Sequence, residues 1–188
     1  MIIKVCGMRE PQNIREVAAL AINWIGFIFY ERSKRFVERC PTEQQVTDSE
    51  QLSPKKVGVF VNATIESMME KASAYKLDYL QLHGNESPED CHTLQKRGYS
   101  LIKAFPIATK EDFEKTREYE GRVDYFLFDT RCEGYGGSGK RFDWSILTEY
   151  KGETPFLLGG GIRPENAEAI RNFRHPRLAG IDLNSGFE

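Results

Sequence analysis

The first residue whose position suggests chemistry is Cys6, the last residue before Gly7 in the stretch KVCG. A cysteine inside a strand is most often a small core residue. One at the exit of a strand, at the edge of a pocket, can instead be a nucleophile or a base. The stretch itself leaves both roles open, and the rest of the chain has to decide between them.

Polar residues also end later apolar runs. Asp129 ends YFLFD, Gln81 and His83 end LDYLQLH, and Asn184 ends GIDLN. A carboxylic acid in a pocket can transfer protons, although Asp129 could equally be a structural carboxylate at a strand end. A histidine such as His83 more often lines a pocket and forms hydrogen bonds there than acts as a catalytic residue.

Two glycine-rich segments favour a phosphate group. LLGGGI at residues 157–162 places backbone N–H groups ahead of a predicted helix, whose dipole favours an anion. NSG at residues 184–186 can add further donors. A triple glycine alone could make only a tight turn, but the two segments together favour phosphate. Arg35 could bind a carboxylate with two hydrogen bonds, although Arg32 and Lys34 beside it are more typical of a solvated charge run.

Eight apolar runs of strand length could position these side chains. They are residues 2–7, 24–29, 56–61, 77–84, 100–107, 125–130, 155–162 and 180–185. Their starts are 21 to 32 residues apart, and each interval is long enough for one strand, one helix and two short loops.

Amphipathic stretches between the runs predict helices at residues 10–22, 62–75 and 163–173. Asn62 is the predicted cap of the second helix, and Pro164 lies near the start of the third. Residues 40–54 carry only a thin apolar stripe, which predicts a short or frayed helix.

Strands alternating with helices predict a parallel sheet, and eight strands close a single α/β (β/α)₈ TIM barrel over residues 1–188. The alternative is an open doubly wound sheet, but its G-x-G-x-x-G fingerprint does not follow the first run. The sequence stops soon after the eighth run, so we expect the barrel to lack its final C-terminal helix. Active sites of such barrels lie at the C-terminal ends of the strands.

Strands one and eight are neighbours in a closed barrel, and side chains alternate between the two faces of a strand. Lys4 therefore shares the inward face of Cys6, and Asp182 shares that of Asn184. A buried lysine without a partner would be costly. The sequence predicts that Lys4 and Asp182 meet inside the barrel.

The composition argues against several classes of partner. Twenty-six basic and 28 acidic residues give a net charge of −2, which favours neither nucleic acid nor an anionic membrane surface. No apolar run reaches about 18 residues, as a transmembrane helix would require, and MIIKVCG does not have the pattern of a signal peptide. Four cysteines without a C-x-x-C pair give no support to a zinc site and suit a reduced, cytoplasmic setting.

Motifs along nearly the whole chain are familiar in combination. KVCGMR, GFIFYERSKRFV, VGVFVN, LQLHGNE, LFDT, GGSGKRFDW, LLGGGIRPENA and DLNSGFE together resemble the phosphoribosylanthranilate isomerases of tryptophan biosynthesis. The resemblance implies a small (β/α)₈ barrel. It also implies an Amadori rearrangement of N-(5′-phosphoribosyl)anthranilate to 1-(2-carboxyphenylamino)-1-deoxyribulose 5-phosphate, with neither a cofactor nor a metal.

Carried over by motif, the resemblance implies that Cys6 is the general base and Asp129 the general acid. Arg35 resembles the group that receives the anthranilate carboxylate. The resemblance and the positions at strand ends together imply further contacts with the substrate, among them a phosphate cradle. These residues are Gln81, His83, Gly160, Gly161, Asp182, Asn184, Ser185 and Gly186. We expect a phosphorylated small molecule as the partner, no nucleic acid or membrane, and a monomer or homodimer.

Two alternatives belong to other classes. A metal-dependent epimerase of sugar phosphates would need histidine and acidic ligands grouped at strand ends, and only His83 of the three histidines is so placed. A non-catalytic barrel would bind a phosphorylated ligand for regulation, without turnover and without need of Cys6. The presence of both Cys6 and Asp129 favours turnover.

Overall fold

A computed structural model describes residues 1–39, 54–130 and 144–184. Their parallel strands are β1 (Ile2–Cys6), β2 (Trp24–Ile28), β3 (Lys55–Phe60), β4 (Tyr79–Leu82), β5 (Ser100–Ile107), β6 (Tyr125–Thr130), β7 (Phe156–Gly159) and β8 (Leu178–Leu183). Each strand pairs with the next along the chain, and β8 pairs with β1, so the sheet closes into a barrel. The (β/α)₈ prediction is confirmed, and every predicted run overlaps one strand.

Helices follow most of the strands and pack against the outside of the barrel. The α-helices are α1 (Pro11–Ala18), α2 (Ile65–Ala74), α3 (Pro88–Lys96) and α4 (Ala167–Asn172). The 3₁₀ helices are Val37–Arg39, Lys110–Tyr119, Trp144–Glu149 and Pro164–Asn166. Most of the weak helix predicted at residues 40–54 lies outside the described residues.

The predicted cap of α2 is wrong, for a reason that bears on the site. Thr64 is the N-cap: its hydroxyl accepts the Ser67 backbone N–H at 3.2 Å. Asn62 instead has a left-handed backbone (φ 52°), and its side-chain oxygen accepts the N–H of Asn85 at 2.7 Å. The asparagine therefore ties the loop after β3 to the loop after β4 at the barrel mouth.

The apolar core has one part inside the barrel and a larger part between the strands and the helices. The inner part lies at the bottom and is made of Trp24, Val57, Ile102, Ala104, Leu127 and Leu157. The outer part includes Leu80, Phe126, Phe128 and Phe156, all almost completely buried. Since the apolar layer fills the bottom of the barrel, the inward residues nearer the C-terminal strand ends are free to be polar.

Candidate active site

The floor of the barrel mouth carries the ion pair predicted from the strand order. In the β1–β8 register Lys4 lies opposite Asp182. The Lys4 Nζ atom is 2.9 Å from one oxygen of the Asp182 carboxylate and 3.0 Å from the other. Burial alone would lower the pKa of Lys4, but the carboxylate of Asp182 and the neighbouring thiol of Cys6 raise it above its ordinary value. The lysine therefore stays charged in the barrel interior.

Cys6 lies beside this pair and is 5% exposed. Burial raises the pKa of its thiol, and the Lys4 ammonium opposes that rise. On β2, Gly26 is the register neighbour of Cys6. A Cβ atom at residue 26 would lie only 2.7 Å from the Cys6 Sγ atom, so the glycine leaves the space that the thiol occupies.

A cavity of about 250 Å³ opens above this floor. Its lining residues are Arg35, His83, Leu127, Asp129, Gly159, Gly160, Gly161, Ile162, Asp182 and Asn184. Arg35 reaches it across Gly7, where a Cβ atom would come within 2.5 Å of the arginine Cδ. Gly7 also has φ +87°, a backbone conformation that favours glycine. The glycine after Cys6 thus lets an arginine from beyond β2 join the site.

Asp129 faces a histidine across the cavity. The Asp129 Oδ2 and His83 Nε2 atoms are 3.6 Å apart, and both side chains are partly exposed. Gln81 is buried below, with its Nε2 atom 2.9 Å from His83 Nδ1. In the tautomer that accepts this bond, the ring proton sits on Nε2 and points towards Asp129. Gln81 therefore fixes the orientation of His83.

A second buried ion pair, which was not predicted from the sequence, shapes the rim. Lys103 Nζ is 3.1 Å from Glu86 Oε2, and both side chains are 2% exposed. Glu86 also accepts the backbone N–H groups of Asn62 and Gly84, at 2.8 and 2.9 Å. The pair holds the loop that follows His83. Its signal in the sequence was the lysine in the middle of the apolar strand SLIKAFPI.

A second cavity of about 250 Å³ adjoins the first at His83 and Asp129. Its remaining lining residues are Val61, Asn62, Gly84, Asn85, Ala104 and Pro106. Larger cavities elsewhere are lined by charged residues of the outer helices, away from the strand ends where the predicted site lies.

Most of the predicted site residues come together in space. Arg35, His83, Asp129, Gly160, Gly161, Asp182 and Asn184 line the first cavity, with Cys6 and Gln81 buried next to them. The prediction also named Ser185 and Gly186, which lie outside the described residues.

The described residues contain neither a metal-binding cluster nor a membrane-spanning helix. In residues 1–39, 54–130 and 144–184, His, Cys, Asp and Glu form no group of three or more that could hold a metal ion. Among the same residues, no helix is both long and apolar enough to span a bilayer.

A family model described as "N-(5'phosphoribosyl)anthranilate (PRA) isomerase" matches residues 3–188. The chain is also 97% identical over 188 residues to the N-(5′-phosphoribosyl)anthranilate isomerase of Parabacteroides distasonis, covering 100% of this chain and 85% of that relative. The chain belongs to the N-(5′-phosphoribosyl)anthranilate isomerase family. The resemblance identified from the motifs is therefore confirmed.

Solved structures of this isomerase family share the fold. The enzyme from Thermotoga maritima superposes with a TM-score of 0.85 at 32% identity, covering 100% of this chain and 90% of that one. Another structure from T. maritima, of monomers generated from the dimeric enzyme, has a TM-score of 0.82 at 28% identity, with 100% and 89% covered. A third isomerase, bound to reduced 1-(o-carboxyphenylamino)-1-deoxyribulose 5-phosphate, has a TM-score of 0.82 at 29% identity and the same coverage.

Proposed function

We propose that this chain converts N-(5′-phosphoribosyl)anthranilate to 1-(2-carboxyphenylamino)-1-deoxyribulose 5-phosphate in tryptophan biosynthesis, with Asp129 as general acid and Cys6 as general base. One observation carries the assignment of residues: the carboxyl group of Asp129 on β6 lines one cavity with Arg35 and the glycines after β7, and the buried thiol of Cys6 on β1 lies next to it. Acid and base can then act on opposite sides of one sugar.

The acid step opens the ribose ring. Asp129 in its protonated form donates to the ring oxygen, the bond from that oxygen to C1′ breaks, and the nitrogen lone pair forms a C1′=N iminium. The carboxyl group is partly shielded and faces His83 at 3.6 Å. His83 is placed to hold the carboxyl towards the ring oxygen.

The base step moves one proton from carbon. The Cys6 thiolate takes the C2′ proton, the C–H electron pair forms the C1′=C2′ double bond, and the C=N pair returns to nitrogen. The resulting enaminol gains a proton at C1′ and loses the C2′ hydroxyl proton to give the ketone. Because burial raises the pKa of Cys6, the cationic iminium helps to form the thiolate when it arrives.

Further groups are suited to hold the two ends of the substrate. Gly160 (φ 82°) and Gly161 (φ 62°) line the cavity with a backbone conformation that favours glycine. Turns with such a backbone conformation commonly bind anions, and we assign these two glycines to the substrate phosphate. We assign Ser185 and Gly186 to the same cradle from their motif. The planar guanidinium of Arg35 suits the anthranilate carboxylate.

Two buried amide oxygens support binding of a hydroxylated ligand. Within the described part of the chain, Gln81 Oε1 and Asn184 Oδ1 have no hydrogen-bond partner. Buried polar atoms are normally paired, and Asn184 lines the cavity. We assign the ribose hydroxyls to Asn184 and to the cavity-lining carboxylate of Asp182.

We also propose where and in what form the enzyme works. The base role requires a reduced thiol, and the described cysteines Cys6 and Cys91 are free, as suits the cytoplasm. We expect a monomer or a homodimer, without nucleic acid or membrane as partner.

The test monitors the fluorescence of freshly generated N-(5′-phosphoribosyl)anthranilate. We expect Cys6→Ala and Asp129→Asn to lower kcat by at least about 10²-fold, as loss of a general acid or base does. Cys91→Ala is the matched control, because Cys91 is also a buried free thiol but lies in α3, outside the site. Near-normal turnover by folded Cys6→Ala would overturn the assignment of the base.

A further inference from the structure

Lys4 is a costly residue at its position. Its side chain is completely buried, two residues before Cys6 on the inward face of β1. Replacing a buried ion pair by apolar residues of similar volume is often neutral or even stabilising. Stability alone therefore gives no reason for an ammonium group here. Its position beside the proposed base suggests what the charge does.

The ammonium has two acidic neighbours rather than one. Asp182 on β8 holds it with both carboxylate oxygens, at 2.9 and 3.0 Å. The thiol of Cys6 is the other neighbour: it is also buried and lies two residues further along the same inward face of β1, where the charge of the ammonium acts on it. The two acids therefore compete for one buried cation.

The other elements around the thiol add little charge of their own. On β2, Gly26 fills the position next to Cys6, and Arg35 lies beyond it, over Gly7. His83 on β4 and Asp129 on β6 act on the Asp182 carboxylate. Apart from burial itself, the pKa of the thiol is thus decided mainly by Lys4 on the same strand and Asp182 on the neighbouring β8.

We propose that Lys4 is a positioning residue whose ammonium stabilises the thiolate of Cys6, while Asp182 holds that ammonium in place and competes for its charge. The proposal rests on the proposed role of Cys6 as the base. The thiol proton passes to solvent when the cationic iminium forms beside it. During turnover the thiolate takes the C2′ proton of the substrate and becomes a thiol again.

The arrangement predicts shifts of opposite sign for two neutral replacements. Lys4→Gln removes the cation and leaves the Asp182 carboxylate beside the sulfur, so the thiol should ionise at higher pH. Asp182→Asn removes the competing anion and leaves the ammonium to Cys6, so the thiol should ionise at lower pH. A charge at this range shifts a titration by about 1 to 3 pH units. A purely structural lysine would not produce opposite shifts.

The measurement is a pH titration of protein labelled with ¹³C at cysteine Cβ, monitored by NMR. The Cys6 resonance is assigned by its absence in Cys6→Ala. We expect the Cys6 midpoint to rise by at least about one pH unit in Lys4→Gln and to fall by a similar amount in Asp182→Asn. The double variant Lys4→Gln/Asp182→Asn leaves no unpaired buried ion. If Lys4→Gln does not fold, the double variant still measures how loss of the ammonium changes the titration of Cys6. Its Cys6 midpoint should then lie above that of Asp182→Asn.

Lys103→Gln is the matched control, because Lys103 is also a buried lysine paired with a carboxylate, but on the outer side of β5. Its Cys6 midpoint should equal that of the wild type. An unchanged midpoint in Lys4→Gln, or an equal shift in Lys103→Gln, would overturn the proposal.

The pH profile of kcat separates this proposal from the proposed function. If the Cys6 midpoint and the rising limb of kcat move together, both are supported. If the midpoint moves as expected and the rate profile stays in place, the effect of Lys4 on the thiol stands and Cys6 is not the base.

Discussion

The buried pair of Lys103 and Glu86 gives the sharpest prediction about stability. In Glu86→Gln, the amide oxygen can still accept the Asn62 N–H. The Lys103 ammonium then keeps only neutral partners, the carbonyls of Leu82, Gly84 and Ala104 at 3.2, 2.7 and 3.5 Å. In Lys103→Met, the Glu86 carboxylate keeps its two backbone N–H donors and loses its counter-charge.

Breaking a buried ion pair from one side costs about 3–5 kcal/mol of unfolding free energy. We expect each single variant to lose that amount. The double variant Lys103→Met/Glu86→Gln contains no uncompensated charge, so its loss should be smaller than the sum of the two by at least about 2 kcal/mol. With a urea slope of about 2–3 kcal/mol/M, each single variant should unfold at a midpoint lower by about 1–2.5 M.

Urea unfolding monitored by circular dichroism measures all three variants against a surface control. Arg117 and Glu114 form an exposed pair with a distance of 2.8 Å, and Arg117→Gln should cost less than about 1 kcal/mol. Strictly additive losses, or single losses as small as that of the surface control, would refute the view that burial makes this pair costly to break.

Two further predictions concern the base and a helix cap. Gly26→Ala places a Cβ atom 2.7 Å from the Cys6 Sγ; we expect kcat to fall about ten- to a hundredfold from displacement of the thiol, and wild-type kcat in the steady-state assay would contradict this. Asp112 caps the helix Lys110–Tyr119; partial burial raises its pKa, but Lys115 and the Thr109 and Ala108 N–H groups lower it to about 2. A lowered pKa stabilises the fold fully above the unfolded value of about 3.9 and progressively less as the pH falls towards the folded value, so Asp112→Ala should cost about 1 kcal/mol at neutral pH. That difference in urea midpoints should shrink as the pH falls from about 4 to 2, and a constant difference would argue against the charge.

Periodicity and barrel closure were enough to predict the main features of the fold. Eight runs at regular spacing determined the barrel, and alternation along β1 and β8 was enough to pair Lys4 with Asp182. The same reasoning placed most site residues at one rim. Arg35 could not be distinguished by spacing from Arg32 and Lys34; it joins the cavity because Gly7 leaves room for it.

Other features depended on contacts that periodicity does not encode. Asn62 and Thr64 are both good caps, and only the contact with the Asn85 N–H decides that Asn62 serves the loop. The predicted strand 155–162 continues past Gly159, where the observed strand ends and the positive φ angles of Gly160 and Gly161 turn the backbone. Glu86 lies in a loop, so no strand or helix period could pair it with Lys103.

The Lys4–Asp182 ion pair joins β1 to β8, the two strands that close the barrel, and it also constrains how the chain folds during synthesis. Lys4 and Asp182 are 178 positions apart, so at about 5–20 residues per second the ribosome adds the aspartate roughly 10–35 s after the lysine. A nascent barrel that collapsed before β8 emerged would bury Lys4 without a counter-charge, at a cost of several kcal/mol. The lysine therefore penalises premature collapse of the incomplete sheet, and the strand that completes the barrel also supplies its counter-charge.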